Sequence, residues 1–220
     1  MAKKRNKKMK STTVAVIGAL IIMLGGFLIT YNYVQSKKVY AYDYVNTEFF
    51  LNNNQEDEVK EEKKKEEVEK KPEVVQEYDS YYVTDEYIGY LSIPKIKLNK
   101  GFVDRRSKEN SVEKNIYIVD GSNYPDVDKG NFIIAGHSGT GWKAFFNDLY
   151  KLRKGDVAYI TYKGYKYTYR ITNIYKQQKV GKIAIYRNYE KTTLTLITCT
   201  NYDSKTQSIY VAELINKELE

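Results

Sequence analysis

Residues 157–172 read VAYITYKGYKYTYRIT and give the clearest secondary-structure signal in the chain. Two runs of β-branched and aromatic residues flank Lys163-Gly164, and a Gly at this position favours the two-residue turn of a β-hairpin. From Tyr165 to Ile171 every second residue is apolar or aromatic, which is the period of a half-buried strand. The segment therefore predicts an antiparallel hairpin.

Short strand-like segments continue on both sides of this hairpin, separated by Gly, Asn, Asp and Lys, which is typical of an antiparallel sandwich or barrel. The predicted strands cover residues 87–93, 116–119, 131–136, 157–162, 165–175, 192–198 and 208–214. One segment differs, because Phe145, Leu149 and Leu152 recur at helical spacing. They predict a short helix over Ala144–Leu152.

The composition limits the class of protein. The chain has 220 residues, 42% of them hydrophobic and 29% charged, which fits one globular domain with an appendage and excludes a collagen-like or wholly disordered polymer. A single cysteine, Cys199, excludes an intramolecular disulfide. With a single histidine, His137, it also excludes an ordinary four-ligand Cys/His zinc site. We therefore expect no such zinc site.

The N-terminus combines a basic cluster with a long uncharged segment. Residues 1–10 carry six Lys or Arg and no acid, and residues 11–36 carry no charge. As a helix the uncharged segment would be about 39 Å long, enough to cross a hydrocarbon core of about 30 Å. It predicts a single transmembrane anchor, with a cleaved signal peptide ending near Ala41 as the alternative. The positive-inside rule leaves residues 1–10 in the cytoplasm and the chain beyond the anchor outside.

Residues 37–77 are predicted to be a charged extracellular linker. Within them Glu56–Glu73 read EDEVKEEKKKEEVEKKPE, too poor in apolar side chains to offset the entropy cost of folding onto a core. The linker is interpreted either as a solvated single helix or as a disordered coil. The globular domain is expected to cover residues 78–220, a normal length for one domain.

Tyrosines interleaved with Lys and Arg are also typical of nucleic-acid surfaces, because aromatic rings stack on bases and cations neutralise phosphate. In the strand from Tyr165, however, the Tyr and the Lys/Arg side chains fall on opposite faces. The predicted extracellular location also argues against such a partner. We therefore expect no nucleic acid to bind and interpret the tyrosines as core residues.

Two residues stand where an apolar strand gives way to a loop. Cys199 closes TLTLITC and His137 closes NFIIAGH. A reactive side chain at such a junction is held by a rigid strand yet open to a substrate. Because a thiolate is a nucleophile and an imidazole donates a proton to a leaving amine, this pair favours acyl transfer. Taken singly, each residue also fits a structural role, as an inert buried thiol or a satisfied imidazole.

Several motifs then occur together in one order. Their residues are Leu91–Ile96 (LSIPKI), Gly130-Asn131, Ile134–His137 (IAGH), Phe146–Leu149 (FNDL), Lys154–Asp156 (KGD) and Thr195–Cys199 (TLITC). With them the chain resembles the sortases, membrane-anchored cysteine transpeptidases of Gram-positive cell surfaces, whose signature TLxTC ends a barrel strand. The resemblance covers roughly residues 90–220, and the N-terminal anchor and linker fit it.

The resemblance implies an all-β fold, a closed eight-stranded barrel with short helices, of the class A-like, housekeeping type. Cys199 would attack the Thr carbonyl of an LPxTG-like sorting motif on a surface protein, and His137 would protonate the leaving amine. An amine of a peptidoglycan precursor or of a pilin would then resolve the thioester. This chemistry requires neither a metal nor an organic cofactor, and we expect none. The implied substrate-groove candidates are Ala135, Thr198 and Arg187, the last of them in the expected groove wall Lys176–Asn188.

One position departs from the family. Its third site residue, an Arg on the strand after the Cys, aligns with Gln207, and no Arg follows Cys199 anywhere in the chain. A guanidinium would give the developing oxyanion a charged, forked donor set, whereas a Gln amide gives two neutral donors. Arg187 is the candidate for a substitute Arg, and Lys205 is the only cation near Gln207 along the sequence.

Two other functions compete with the active transpeptidase. The Gln207 substitution also fits a catalytically impaired barrel that binds sorting motifs or wall polymers. A papain-like wall hydrolase is disfavoured, because those enzymes place the Cys at a helix start with the His downstream. Here His137 precedes Cys199, and both end predicted strands.

Overall fold

The computed structural model describes residues 11–65, 85–201 and 203–220, with side chains from 12 to 51 and from 85 onward within these ranges. The chain divides into two compact units between Ala41 and Tyr42. The predicted cytoplasmic tail, residues 1–10, and the last part of the predicted linker, residues 66–77, lie outside the described residues.

A long α-helix, α1, covers Ser11–Lys65. Among the described residues it is the one helix long and apolar enough to cross a membrane, over Thr12–Leu51. In the uncharged segment its apolar side chains are not packed into a protein core, and Ile22, for example, is 76% exposed. Such a helix is consistent with membrane anchoring. α1 continues beyond Ser36, where the predicted anchor ends, so the described part of the charged linker is helical.

The described part of the second unit contains eight strands and two short 3₁₀ helices in addition to the end of α1. The strands are β1 (Tyr87–Ile93), β2 (Leu98–Val103), β3 (Tyr117–Ile118), β4 (Asn131–Ala135), β5 (Val157–Tyr162), β6 (Tyr165–Gln178), β7 (Thr193–Thr200) and β8 (Asp203–Leu219). The 3₁₀ helices cover Pro94–Ile96 and Asn147–Lys151.

One mixed sheet joins the eight strands in the order β2-β1-β5-β6-β8-β7-β4-β3. Neighbouring strands are antiparallel except β4 and β7, which run parallel. The sheet curves into a barrel. Its two edge strands, β2 and β3, are not paired with each other, so the barrel is nearly rather than fully closed. The predicted eight-stranded all-β barrel is thus confirmed, with one parallel pair in an otherwise antiparallel sheet.

Alternation along the strands separates the barrel interior from the outer face. In β1 the buried positions alternate residue by residue, and Leu91 and Ile93 are fully buried. The interior is filled mainly by aromatic and branched side chains, as expected for a small barrel. Its largest fully buried members include Tyr167, Tyr169, Phe102, Phe132 and Phe146. The prediction that tyrosines are core residues is therefore confirmed for Tyr167 and Tyr169 of β6.

The sequence pattern does not predict β2, whose residues read LNKGFV. Asn99, Lys100 and Gly101 interrupt the apolar pattern there, yet Lys100 is buried in the structure. A buried lysine needs a partner from elsewhere in the chain, which a local pattern does not reveal.

The helix predicted over Ala144–Leu152 is shorter and of another type. Phe146, Leu149 and Leu152 are fully buried and recur every three residues, which is the 3₁₀ period. The backbone N–H groups of Leu149 and Leu152 accordingly donate to carbonyls three residues earlier, at 3.3 and 2.9 Å. Burial of this row of side chains therefore favours the 3₁₀ helix Asn147–Lys151.

Within the second unit, the part of α1 from Tyr42 onward packs on β1. The ring of Tyr42 meets Tyr87 edge-on with centroids 5.6 Å apart, and the ring of Phe50 meets Tyr90 at 5.0 Å. Edge-to-face aromatic pairs of this kind stabilise a contact beyond the area they bury. This part of the helix is thus an integral part of the folded unit.

Candidate active site

His137 and Cys199 lie side by side because β4 and β7 are parallel neighbours. Ala135 is paired with Ile197, so each of the two functional residues follows its paired residue by two positions. The backbone N–H of Gly136 donates to the carbonyl of Ile197 at 3.1 Å. Parallel strands end at the same edge of a sheet, and the two candidates therefore share one edge of the barrel.

The loop that follows His137 is fastened to the Cys199 strand. Ser138 Oγ donates to the carbonyl oxygen of Cys199 at 2.6 Å, and Thr198 Oγ1 donates to the carbonyl of Gly136 at 2.8 Å. These two bonds run in opposite directions between the strands. They fix the relative position of the two strand ends that carry the imidazole and the thiol.

An apolar surface leads up to Cys199 on the outer face of the barrel. Ile197, Ile209 and Val211 form a cluster separate from the interior core, while their strand neighbours Leu196 and Tyr210 point into that core. The partly buried side chains of Ile133, Ala135, Tyr175 and Ile185 pack against this outer cluster. Of the groove candidates, Ala135 therefore lies on the same surface as Cys199.

The segment between β6 and β7 is tied down beside this surface. Tyr175 Oη donates to the carbonyl of Ala184 at 2.7 Å and accepts from the N–H of Tyr186 at 3.0 Å. The rings of Tyr175 and Tyr186 are 5.0 Å apart, and Gln177 Oε1 accepts from Ala184 N–H at 3.2 Å. Part of the expected groove wall Lys176–Asn188 thus flanks the apolar cluster.

His137 has an acidic partner that the sequence does not single out. Its Nε2 lies 3.1 Å from Glu113 Oε1, and because a carboxylate only accepts, His137 is the donor. The Lys143 ammonium donates to Glu113 Oε2. These contacts, the Lys143 bond first and the His137 bond second, lower the pKa of Glu113. The three side chains form a chain that orients the imidazole.

Gln207 stands directly opposite Cys199 in the β7–β8 ladder. On its other side Gln207 is paired with Gln177 of β6, so the three side chains share a face of the sheet. The amide nitrogen of Gln177 is buried without a hydrogen-bond partner among the described atoms.

A cation does lie at Cys199, and it is neither Arg187 nor Lys205. Lys179 Nζ is 3.1 Å from Cys199 Sγ. The strand predicted from Tyr165 stops at Tyr175, whereas β6 continues to Gln178, and this longer strand carries Lys179 to the site. Distance along the sequence points to Lys205, which is two residues from Gln207. It does not identify Lys179, because it does not reveal which residues of β6 are paired with β8.

The other two groove candidates have different surroundings. The Thr198 side chain is buried, and its hydroxyl is occupied by the Gly136 carbonyl. Arg187 Nη1 donates to the carbonyls of Lys129 and Gly130 at 3.0 and 3.4 Å. Because Gly130 precedes the start of β4 and His137 follows its end, the structure does not bring Arg187 to Cys199.

A cleft of about 710 Å³ opens beside the end of β7. Thr200 and Ser208, whose hydroxyls are 3.0 Å apart, form part of its lining. Arg153, Lys154 and Lys176 also line it, which makes the cleft basic. No cluster of three or more His, Cys, Asp or Glu suited to a metal ion occurs among the residues that the structure describes.

Comparison with known proteins agrees with this architecture. A family model, the sortase domain, matches residues 91–215. Sortase A of Bacillus anthracis is 23% identical over 142 residues, and the match covers 64% of this chain and 66% of that protein. The chain thus spans slightly less than two thirds of the length of this curated relative.

Two solved structures have a similar fold. Sortase A of Listeria monocytogenes superimposes with a TM-score of 0.53 at 21% identity, over 62% of this chain and 92% of that one. A sortase D5 transpeptidase of Clostridium perfringens gives a TM-score of 0.59 at 25% identity, over 80% of this chain and 99% of that one. Since the family model covers more than half of the sequence, the chain belongs to the sortase family.

Proposed function

We propose that the chain is a sortase transpeptidase that joins surface proteins to an amine through a Cys199 thioester. The observation that carries this proposal is the placement of Cys199 and His137 at adjacent ends of β7 and β4, beside an apolar surface. Membership of a family of transpeptidases supports it. The substrate class would be a protein with an LPxTG-like sorting motif.

In the first half-reaction the Cys199 thiolate attacks the Thr carbonyl of the motif. A carbon–sulfur bond forms, and the carbonyl electron pair moves onto oxygen. When this oxyanion collapses, the carbon–nitrogen bond breaks and His137 gives its proton to the departing amine. The products are a thioester on Cys199 and the released C-terminal fragment.

In the second half-reaction an amine attacks the thioester, the carbon–sulfur bond breaks, and His137 takes the proton that the amine loses. The amine would come from a peptidoglycan precursor or from a pilin. A covalent intermediate thus divides one difficult exchange into two easier steps.

The same proposal assigns the chain to a cell membrane. Residues 11–36 would be the single-pass anchor, with residues 1–10 in the cytoplasm and both the linker 37–77 and the catalytic domain 78–220 outside. The uncharged segment of α1 and the six basic residues before it support this orientation.

Intact mass spectrometry of the full chain in detergent micelles tests the proposal. We expect an LPxTG-type peptide to add the mass of its fragment through Thr, and triglycine to discharge the adduct. Cys199→Ala should give no adduct, because the chain has no other cysteine. Failure of every LPxTG-type peptide to form an adduct with the unmodified chain would contradict the proposed function.

A second candidate is the catalytically impaired barrel that binds sorting motifs or wall polymers. The neutral Gln207 opposite Cys199 is the observation that favours it. Such a protein would bind the same peptide in a fluorescence titration without forming the adduct. The two measurements on one sample therefore distinguish the two candidates.

A further inference from the structure

We infer that Lys179 is a further catalytic residue of this chain and supplies the positive charge that Gln207 lacks. The inference rests on the proposed transpeptidase function and adds to it the group that stabilises the attacking sulfur and the oxyanion. Its basis is the 3.1 Å distance between Lys179 Nζ and Cys199 Sγ.

The register of strands β6, β8 and β7 explains why Lys179 reaches Cys199 Sγ. Gln177 of β6 is paired with Gln207 of β8, and Gln207 is paired in turn with Cys199 of β7. Lys179 follows Gln177 by two residues, and its N–H donates to the carbonyl of Lys205 at 2.9 Å, which continues the β6–β8 ladder. Side chains two residues apart in a ladder share a face, so Lys179 points to the face that carries Cys199.

The ammonium of Lys179 is not engaged by another anion. Among the described residues, the structure gives its side chain no partner other than Cys199 Sγ. The carboxylate of Glu113, the acidic partner of His137, is occupied by His137 and Lys143. Lys179 is also exposed, so its ammonium avoids the large desolvation penalty of a buried ion.

The chemistry needs a donor that can follow negative charge. Before attack the charge is on the sulfur of Cys199, and after attack it is on the former carbonyl oxygen, bonded to the same carbon. An ammonium has three donors on one nitrogen, so Lys179 can donate to the sulfur and then to the oxygen without leaving the site. A Gln amide offers only neutral donors, which are about half as strong as charged ones.

The experiment compares four variants of the full chain in detergent: Lys179→Met, Lys179→Arg, Gln207→Arg and the double variant Lys179→Met/Gln207→Arg. Single-turnover acylation by an LPxTG-type peptide is followed by mass spectrometry. We expect Lys179→Met to lower the rate constant of acylation by about 10² to 10³, the usual cost of one lost oxyanion donor, with little change in peptide affinity. Lys179→Arg should retain most of the rate, and Gln207→Arg should restore it in the double variant.

Lys166→Met is the matched control. Lys166 lies at the start of β6, at the opposite end of the strand from Lys179. Its Nζ is 3.8 Å from Glu218 Oε1. The variant removes the same charge and side chain from β6, and we expect the rate of acylation to be unchanged. An equal loss in Lys166→Met and Lys179→Met would overturn the inference, since the effect would then come from net charge or strand stability.

A second readout does not depend on the peptide. Iodoacetamide reacts with the thiolate of the only cysteine, so its rate of labelling reports the stabilisation of negative charge on Cys199. We expect Lys179→Met to slow labelling about two- to fivefold, the effect of an exposed charge pair, and Lys179→Arg to leave it unchanged.

The two readouts separate the possible failures. If the unmodified chain forms no adduct but Lys179→Met slows labelling, the proposed function fails while the contact between Lys179 and Cys199 stands. If the unmodified chain forms the adduct and Lys179→Met acylates at the same rate, the inference is overturned and the function stands. Unchanged labelling together with no adduct would overturn both.

Discussion

The ammonium of Lys100 on β2 donates to the carboxylate of Asp43 on α1, and the Lys100 side chain is only 3% exposed. Its Nζ also lies 3.1 Å from Tyr87 Oη and 4.4 Å from the ring centroid of Phe145. Burial lowers the pKa of Lys100, and the negative charge of Asp43 acts in the opposite direction. This buried lysine thus depends on a carboxylate that lies 57 residues away in the sequence.

Asp43→Asn should destabilise the folded unit by about 3 kcal/mol, because removal of one partner leaves a buried charge uncompensated. Lys100→Met should cost less, since it removes the charge and keeps an apolar stem of similar length. The double variant should recover part of the stability lost in Asp43→Asn. Denaturant titration monitored by near-UV circular dichroism measures the free energy of unfolding of the three variants. A smaller loss of stability in Asp43→Asn than in Lys100→Met would show that buried Lys100 does not depend on Asp43.

Asp104 should make the fold sensitive to acid. Burial raises its pKa, but hydrogen bonds from Arg106 and from the Tyr124 hydroxyl outweigh burial, and the net pKa of Asp104 is lowered from 3.8. A carboxyl group whose pKa is lowered by folding stabilises the folded state at pH values above its pKa in the unfolded state. This contribution is lost as the pH falls through its pKa in the folded state. The loss is therefore expected below about pH 4.

Thermal unfolding of Asp104→Asn at pH 7 and at pH 3 checks this expectation. The variant should be less stable than the unmodified chain at pH 7, and the difference should shrink at pH 3, where a lowered carboxyl pKa contributes less to stability. Asp128→Asn, at an exposed position, serves as the control and should match the unmodified chain at both values. A constant difference at both pH values would rule out the charged form of Asp104 as the source.

Glu113 should determine the acid limb of the pH–rate profile. Its carboxylate orients His137, and the Lys143 bond keeps the pKa of Glu113 below its ordinary value of 4.5. Lys143→Met should raise this pKa toward the ordinary value, so activity should fall at a higher pH than in the unmodified chain. Transfer of an LPxTG-type peptide to triglycine between pH 4 and 7 gives the profile, and an unshifted acid limb would count against this role.

Glu113→Ala should lower kcat about tenfold at neutral pH, less than the loss of general acid catalysis itself, because His137 stays in place but is no longer oriented. KM for the peptide should change little, since Glu113 does not lie on the apolar surface that would hold the motif. Steady-state kinetics of the transfer reaction separate the two constants. Equal losses in Glu113→Ala and His137→Ala would mean that Glu113 does more than orient the ring.

Gln207→Arg tests how complete the site is without the family Arg. If Lys179 already supplies the charge, the single variant should acylate less than tenfold faster than the unmodified chain, since a second cation at the same sulfur adds little. A gain of about 10² or more would instead support the impaired barrel, because it would show that one charged donor is missing. The same mass-spectrometric assay measures both outcomes.

The hairpin of β5 and β6 illustrates what local signals predict well. Its two strands pair from Tyr162–Tyr165 outward, as the Lys163-Gly164 turn requires, and β5 has the predicted bounds. A two-residue turn sets the register of both strands, so the information is contained within the segment itself. The charge-free N-terminal helix is predictable for the same reason, since its signal is length and composition.

Lys100 and Lys179 illustrate the opposite case. Each is one of many lysines between polar neighbours, and nothing within ten residues distinguishes it. Lys100 is buried because Asp43 lies against it, and Lys179 reaches Cys199 because β6 extends alongside β8. Strand pairs so distant in the chain are set by packing of the whole barrel, which a local periodicity does not encode.

The amino-acid sequence was sufficient for the fold class, the family, the anchor-like helix and the two strand ends that carry His137 and Cys199. These follow from periodicity, composition and short motifs, all of which are local properties. The Glu113 partner of His137, the Lys179 contact with Cys199 and the position of Arg187 far from the thiol emerged only from the folded barrel. They depend on which strands and loops become neighbours, because closing the sheet brings together residues that are 20 to 58 positions apart in the sequence.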